Sequence, residues 1–204
     1  AGRPLVAVLD YGIGNLRSAQ KALERVGADA RLTADPALVG DAAGVVLPGV
    51  GAFGRCAEAL REAGLDDLVH DAVASGRPFL GICVGMQLLY EASDESPGTP
   101  GLGVLDGKIR LLPDTVKRPQ MQWNVLELRR GSPLFDGIDV PRWFYFVHSY
   151  APEDGDATLA ACDYGGPVVA AAQRGNVTAT QFHPEKSGAN GLRFLANWLA
   201  TVAG

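Results

Sequence analysis

Cys83 stands at the centre of a Gly-x-Cys-x-Gly sequence, Gly81–Gly85, between an apolar strand-like run and an apolar helix-like run. A residue at the apex of a sharp strand-to-helix turn is held in a strained backbone conformation, and its neighbours must lack side chains to avoid collision. The start of the following helix offers unpaired N–H groups and partial positive charge, which favour thiolate over thiol. The pattern therefore predicts that Cys83 is a nucleophile and that the N–H of Val84 stabilises a developing oxyanion.

A cysteine nucleophile in acyl transfer needs a base that can later protonate the leaving amine, and histidine is the usual choice. His183 follows the apolar run Val177–Phe182, at the carboxyl edge of a strand where sites form in α/β folds. In an extended segment residues two apart project to the same side, so Glu185 is expected to reach the far nitrogen of His183 and fix its tautomer. The sequence thus predicts a catalytic triad of Cys83, His183 and Glu185.

The remaining histidines and cysteines are given ordinary roles. His70 lies in a polar helical stretch and is expected to be solvated, whereas His148 follows an aromatic run and is expected to be a hydrogen-bonded residue near the site. Cys56 and Cys162 lie in no comparable turn and are expected to be small buried residues. Because no histidines or cysteines have the spacing of metal ligands, we expect no metal and no cofactor.

Composition excludes several other classes of function. The chain has 204 residues, a formal net charge of -5 and a pI of about 5.2, which argues against nucleic-acid binding through a basic surface. No apolar run approaches the roughly 20 residues needed to cross a membrane, and no cationic amphipathic stretch suggests a membrane surface. An odd number of cysteines without close pairs predicts a reduced, cytoplasmic protein. We expect residues 1–204 to form one domain.

The elements that must position these residues alternate in the first half of the chain. Short apolar runs read as strands buried on both faces, and glycine turns and helical patterns follow them. Alternation of this kind predicts an α/β fold with a parallel core. The predicted strands are 5–9, 45–47 and 78–82, and the predicted helices are 16–26, 55–74 with an interruption near Gly64, and one opening at 85–91.

The second half has a different pattern. Short segments rich in β-branched and aromatic residues are separated by Gly, Pro and Asp, which predicts antiparallel strands extending the sheet. These segments are 107–112, 123–128, 143–147, 168–172 and 177–182. Apolar residues at helical spacing over 191–202 predict a final helix.

Five segments together resemble one known family. They are Asp10–Leu16, Pro48–Gly54, Gly81–Leu89, Tyr145–Tyr150 and Gln181–Ser187. With them the chain resembles the class I, triad-type glutamine amidotransferases nearly from end to end, and within that class the glutaminase subunits of imidazole glycerol phosphate synthase. The resemblance implies a three-layer, flavodoxin-like α/β domain with a mostly parallel central sheet extended by antiparallel strands.

The resemblance also implies an activity. Cys83 would attack the side-chain amide of glutamine and form a glutamyl thioester, and the released ammonia would pass to a separate (β/α)8-barrel cyclase subunit in histidine biosynthesis. By matching position, the second oxyanion donor would come from the loop Gly49–Gly51, at Val50. The residues that would hold glutamine are Gly51, Gln87, Glu95, Ser149 and Tyr150. Since glycines flank Val50, we expect its peptide to turn over readily when the partner binds.

One segment departs from the family pattern. The family usually has Met-Gly-Trp-Asn, often after a His, where this chain has Gln120–Asn124 with Gln122 in place of the glycine. The substitution adds a side chain beside Trp123, an expected interface residue, and so bears on the detail of partner docking or gating but not on the hydrolysis itself. Two alternatives stay open: a related triad glutaminase serving another synthase, such as those for pyridoxal phosphate or guanine nucleotides, and a catalytically silent binding module.

Overall fold

The computed structural model describes residues 2–14 and 16–203. The strands in these residues are β1 (Leu5–Leu9), β2 (Asp29–Thr33), β3 (Gly44–Leu47), β4 (Phe79–Ile82), β5 (Ala92–Ser93), β6 (Lys108–Leu111), β7 (Gln120–Leu128), β8 (Arg142–His148), β9 (Tyr150–Pro152), β10 (Thr158–Asp163), β11 (Pro167–Arg174) and β12 (Val177–Thr180). The α-helices are α1 (Leu16–Arg25), α2 (Pro36–Asp41), α3 (Phe53–Glu62), α4 (Leu65–Ala74), α5 (Val84–Leu88) and α6 (Gly188–Ala203), and short 3₁₀ turns span Pro133–Phe135 and Pro184–Lys186.

A nine-stranded sheet organises the described residues. Its order is β2-β1-β3-β4-β12-β11-β10-β7-β8, parallel from β2 to β12 and antiparallel from β12 to β8. Strands β3, β4 and β12 are buried at every residue, as expected for central strands covered on both faces. The prediction of an α/β fold with a parallel core extended by antiparallel strands is therefore confirmed.

The helices fall into two groups, and the helices within each group contact one another. Helix α1 packs against α6, while α3 packs against α4 and α5, and α2 packs against α4. Helix α6 lies so close to the sheet that a side chain on Gly44 of β3 would collide with Val202 and Trp198 of α6. This arrangement is typical of helices that cover both faces of a mixed sheet.

Two strand predictions need correction. The segment predicted at 107–112 does not extend the main sheet: β6 pairs with β5 and β9 in a separate three-stranded sheet. The segment predicted at 177–182 is not purely antiparallel, because β12 runs parallel to β4 and antiparallel to β11. A local sequence pattern marks a strand but carries no information about its partner, which explains both errors.

The predicted helices are confirmed with small changes in their bounds. The interruption near Gly64 is a left-handed residue (φ 71°) between α3 and α4, and α6 covers the whole of the predicted final helix. Helix α5, by contrast, has only five residues. It is shorter than predicted, so little more than a single helical turn contributes a dipole at Cys83.

Candidate active site

Cys83 lies at the turn between β4 and α5 with φ 56° and ψ −114°, and it is the one non-glycine residue with positive φ in the described part of the chain. Such a conformation costs of order 1–3 kcal/mol and persists only where the surroundings enforce it. The glycines on either side are required, because a Cβ on Gly85 would lie 1.9 Å from the carbonyl oxygen of Leu47, and one on Gly81 would lie 3.0 Å from that of Gly85. The predicted strained turn is therefore present.

His183 follows β12 and is held by its main chain. Its N–H donates to the carbonyl oxygen of Tyr145 (3.0 Å), and its own carbonyl accepts from the hydroxyl of Ser187 (2.6 Å). The preceding Phe182 packs against Phe144 in a tilted arrangement, with ring centroids 4.3 Å apart. Histidine and strand end are thus fixed by hydrogen bonds and by aromatic packing.

Glu185 contacts His183 as predicted, although not through the predicted geometry. Glu185 Oε1 lies 2.5 Å from Nδ1 of His183, and both side chains are buried. The carboxylate lies in a 3₁₀ turn rather than in an extended segment, and helix α6 packs against this turn so closely that a Cβ on Gly191 would lie 1.8 Å from the carbonyl oxygen of Pro184. The carboxylate fixes Nδ1 as the donor and leaves Nε2 for a reacting group.

The pKa of His183 is raised to about 10. Burial would lower it, but interactions with Cys83 and with Glu185 outweigh burial. Among the described residues, no hydrogen bond of ordinary geometry reaches the buried Nε2 atom of His183. Catalytic hydrogen bonds are often loose before substrate binds. The arrangement favours an imidazolium beside the sulfur, the state that protonates a leaving amine.

The amide of Val84, predicted to be an oxyanion donor, is already paired. Its N–H donates to the carbonyl oxygen of Gly49 at 3.2 Å. The peptide that joins Gly49 to Val50 thus presents its carbonyl, rather than its N–H, to the start of α5. The two predicted donors, Val50 and Val84, are close together but do not form a donor pair in this conformation.

A cavity of about 270 Å³ opens beside Cys83. All the site residues predicted from the sequence line it except Glu185, which lies behind His183. They are Val50, Gly51, Cys83, Val84, Gln87, Glu95, Ser149, Tyr150 and His183. A concave pocket with a nucleophile, a base and a few polar groups is the form expected of a site for a small molecule.

Similarity to known proteins agrees with this geometry. The sequence model of the family described as "Glutamine amidotransferase class-I" matches residues 7–202. The chain belongs to the class I glutamine amidotransferase family. Two relatives named "Imidazole glycerol phosphate synthase subunit HisH" are each 50% identical: that of Symbiobacterium thermophilum over 195 residues (95% of this chain, 92% of the relative) and that of Deinococcus radiodurans over 204 residues (98% and 95%).

Solved structures share the fold of this amidotransferase. One described as "Crystal structure of glutamine amidotransferase" has a TM-score of 0.74 at 24% identity and covers 98% of this chain and 99% of its own. Another, "Structure of PurLQS from Thermotoga maritima", has a TM-score of 0.74 at 21% identity and covers 98% of each chain. At these identities the likeness concerns the fold alone.

Two predicted substrate residues of this amidotransferase also make internal contacts. The side-chain amide of Gln87 donates to the carbonyl oxygen of Tyr150 and to Oε1 of Gln181, at 3.1 Å in each case. Glu95 Oε1 accepts from the N–H of Phe53 at 2.6 Å. Both side chains are therefore held in position before any ligand binds.

The buried Gln181 was not predicted to belong to the site. Its Nε2 lies 3.8 Å from the sulfur of Cys83, within range of a weak hydrogen bond, and the contact with Gln87 sets the orientation of its amide. A polar residue two positions before His183 at a strand end was the one signal available in the sequence.

His148 is buried and hydrogen-bonded beside the site, as predicted. Its Nδ1 lies 2.9 Å from the carbonyl oxygen of Tyr150 and its Nε2 lies 2.8 Å from Nε2 of Gln120. Burial lowers the pKa of His148 to about 4, and the neighbouring His183 adds to that effect. His148 thus donates from Nδ1 and accepts at Nε2, and with both ring nitrogens engaged and its basicity lowered by burial it has no free nitrogen to act as a second base.

The other two cysteines are buried as predicted, whereas the exposed His70 is not only solvated but also contacts the main chain. Cys56 and Cys162 are free and buried, and burial raises the pKa of each thiol to about 11. His70 is exposed on α4 and its Nε2 lies 2.8 Å from the carbonyl oxygen of Leu102. Residues 2–14 and 16–203 contain no group of three or more potential metal ligands and no helix long and apolar enough to cross a membrane.

Proposed function

We propose that this amidotransferase is the glutaminase subunit of an imidazole glycerol phosphate synthase, a single domain that hydrolyses glutamine and supplies ammonia to a cyclase subunit. The observation that carries the chemistry is the strained Cys83 in a pocket beside the buried pair of His183 and Glu185. The relatives at 50% identity, named as subunits of that synthase, support the choice of pathway and partner. Free, buried cysteines are consistent with a cytoplasmic location.

In this proposal the Cys83 thiolate attacks the side-chain carbonyl carbon of glutamine. The carbonyl oxygen becomes an oxyanion, the C–N bond then breaks, and His183 gives its proton to the departing ammonia. Water next loses a proton to His183 and attacks the thioester, which releases glutamate and returns the thiolate. Glu185 stabilises the imidazolium and holds the ring in place throughout.

The pocket suits glutamine as the substrate. The carboxylate of Glu95 lines it and offers a partner of opposite charge for the α-ammonium group, while Gln87, Ser149 and Tyr150 add polar groups on the other walls. Gly51 has φ 91° and leaves the pocket wall without a side chain. A cavity of about 270 Å³ has room for one small amino acid rather than a peptide.

The paired state of Val84 implies a resting conformation. Rotation of the Gly49–Val50 peptide by about half a turn would withdraw the Gly49 carbonyl and bring the Val50 N–H beside that of Val84, forming a two-donor oxyanion hole. We propose that binding of the cyclase favours this rotation. Loss of one oxyanion donor typically costs about 10²–10³ in rate, so the resting chain should hydrolyse glutamine slowly.

The docking surface we propose lies on β7 and β8. The register pairs Trp123 with Tyr145 and Met121 with Val147, which places these side chains on one face of the sheet. Met121, Trp123 and Trp143 are exposed, which is unusual for large apolar side chains, and the same strand β8 continues into the pocket wall at Val147. We propose that the cyclase covers this face and receives ammonia there. Gln122 is exposed on the opposite side of β7 from Trp123.

The test is stimulation by the correct partner. Glutamate release from glutamine is measured for the chain alone, with the cyclase subunit of imidazole glycerol phosphate synthase plus its ribulosyl substrate, and with the synthetase part of guanosine monophosphate synthase. We expect stimulation of about 10²–10³ by the cyclase and none by the synthetase. Stimulation by the synthetase alone would support the alternative glutaminase, and absence of hydrolysis in every mixture would support the silent binding module.

A further inference from the structure

The loop Pro48–Gly51 is held by two buried side chains that take no part in the proposed chemistry. The hydroxyl of Tyr11 donates to the carbonyl oxygen of Pro48 at 2.5 Å, and the thiol of Cys56 donates to the carbonyl oxygen of Val50 at 3.2 Å. Tyr11 lies in the turn after β1 and Cys56 lies in α3, so two separate parts of the fold donate hydrogen bonds to the loop.

Both groups stay protonated at neutral pH and so remain donors. Burial raises the pKa of the Tyr11 hydroxyl far above its ordinary value, and the neighbouring thiol of Cys56 adds to the rise. Burial likewise raises the pKa of Cys56 to about 11. A buried donor paired with a carbonyl costs a desolvation penalty of about 1–3 kcal/mol when its partner is removed, so neither contact is easily broken.

The two held carbonyls belong to the peptides on either side of the one that must rotate. Pro48 contributes the carbonyl of the peptide before Gly49, and Val50 contributes that of the peptide after Val50. A single peptide between two fixed neighbours can turn by opposite changes in ψ of Gly49 and φ of Val50, without moving the rest of the chain. The rotation is thereby confined to the Gly49–Val50 peptide.

The following helix is fixed as well. Ala52 gives α3 no side-chain cap, and the first N–H groups of the helix donate instead to Glu95 from Phe53 (2.6 Å) and to the hydroxyl of Ser96 from Gly54 (2.9 Å). Tyr11 also packs directly against Gly49, because a Cβ on Gly49 would lie only 2.7 Å from the Tyr11 hydroxyl oxygen. The loop therefore has fixed ends, and the Gly49–Val50 peptide between them is held by the hydrogen bond that its carbonyl accepts from the Val84 N–H.

We propose that Tyr11 and Cys56 are positioning residues for the oxyanion hole. By holding the Pro48 and Val50 carbonyls, they fix the position of the rotated Val50 N–H so that it can donate to the oxyanion. This inference rests on the proposed glutaminase function. Without the two anchors the rotated peptide has no single position, so transition-state stabilisation is reduced, while Gln87, Ser149 and Tyr150, which line the pocket outside this loop, still hold glutamine.

The first experiment compares Cys56→Ala, Cys56→Ser and Tyr11→Phe in the complex with the cyclase. Cys162→Ala is the matched control, since Cys162 is also free and buried but lies on β10. We expect Cys56→Ala and Tyr11→Phe each to lower kcat for glutamine hydrolysis by about tenfold, less than the loss of a whole donor, with KM unchanged within about twofold. Cys56→Ser keeps a donor and should restore kcat, and Cys162→Ala should match wild type.

A second measurement isolates the oxyanion. The γ-aldehyde analogue of glutamine adds the Cys83 sulfur to its carbonyl carbon without a leaving group, and the former carbonyl oxygen carries the negative charge or takes a proton. Its affinity should fall about tenfold in Cys56→Ala and Tyr11→Phe, whereas selective alkylation of Cys83 by iodoacetamide should keep its wild-type rate.

The outcomes separate this inference from the function on which it rests. If wild type hydrolyses glutamine and both anchor variants match it in kcat and aldehyde affinity, the anchoring role is wrong and the function stands. If Cys56→Ser is as impaired as Cys56→Ala, or if KM rises as much as kcat falls, the residues act through packing or substrate binding instead. If wild type shows no hydrolysis that depends on Cys83, the proposed function itself fails.

Discussion

His148 should make the stability of the protein depend on pH in a defined window. The folded state holds its pKa near 4, mainly by burial, whereas an unfolded histidine has a pKa of about 6.5. Between these values the unfolded chain binds more protons than the folded one, so stability falls as the pH drops from about 6.5 to about 4 and changes no further below that on account of this residue. A difference of about 2.5 units at 1.36 kcal/mol each corresponds to about 3 kcal/mol.

The assay is urea unfolding at pH 7, 5.5 and 4 for wild type and His148→Asn. Asparagine keeps a donor toward the carbonyl oxygen of Tyr150 but does not titrate. Carboxyl groups also titrate in this range, so the quantity of interest is the difference between the two pH profiles, which should approach 3 kcal/mol, roughly, at pH 4. Parallel profiles, or an NMR titration of His148 in the folded protein with an ordinary pKa, would refute the reasoning.

Three further predictions concern other parts of the structure. Glu185→Gln keeps the contact with His183 but removes the charge that stabilises the imidazolium, so kcat for glutamine hydrolysis should fall by roughly 10²–10⁴ at constant KM, and a change in KM alone would contradict this role. Gly85→Ala places a Cβ 1.9 Å from the Leu47 carbonyl oxygen and should lower the free energy of unfolding in urea by about 1–3 kcal/mol. Gly40→Ala, whose Cβ meets open space, should not destabilise the protein, and equal effects of the two substitutions would contradict a steric cause. Trp123→Ala should weaken binding of the cyclase by about tenfold or more in calorimetry, and an unchanged Kd would place the docking surface elsewhere.

The elements nearest the chemistry could be predicted from sequence because their patterns are local. Strands β1, β3 and β4 are continuous apolar runs. The turn at Cys83 can be recognised by its flanking glycines, of which Gly85 is required because the Leu47 carbonyl lies so close to it. Strand β2 was missed because Asp29 and Arg31 break its apolar pattern. Strand β10 was missed because its alanines have low strand propensity, although pairing with β7 and β11 on its two sides buries it.

The site could be predicted only where its members lie close in sequence or match a family motif. The pair His183 and Glu185 was found from a spacing of two, although the 3₁₀ turn that brings them together was not foreseen. The anchors Tyr11 and Cys56 carry no signal of their own, because each acts through the carbonyl of a residue that only the fold brings close. The paired state of the Val84 amide is likewise a property of the backbone conformation, which side-chain types do not report.

The central claim is that Cys83 is the nucleophile of a glutaminase. Its most direct test is ammonia release from glutamine in the presence of the cyclase, for wild type, Cys83→Ala and the buried-cysteine control Cys162→Ala. We expect steady hydrolysis by wild type and by Cys162→Ala, and no glutamine-dependent ammonia above background for Cys83→Ala with its fold intact. Hydrolysis that survives in Cys83→Ala would contradict it.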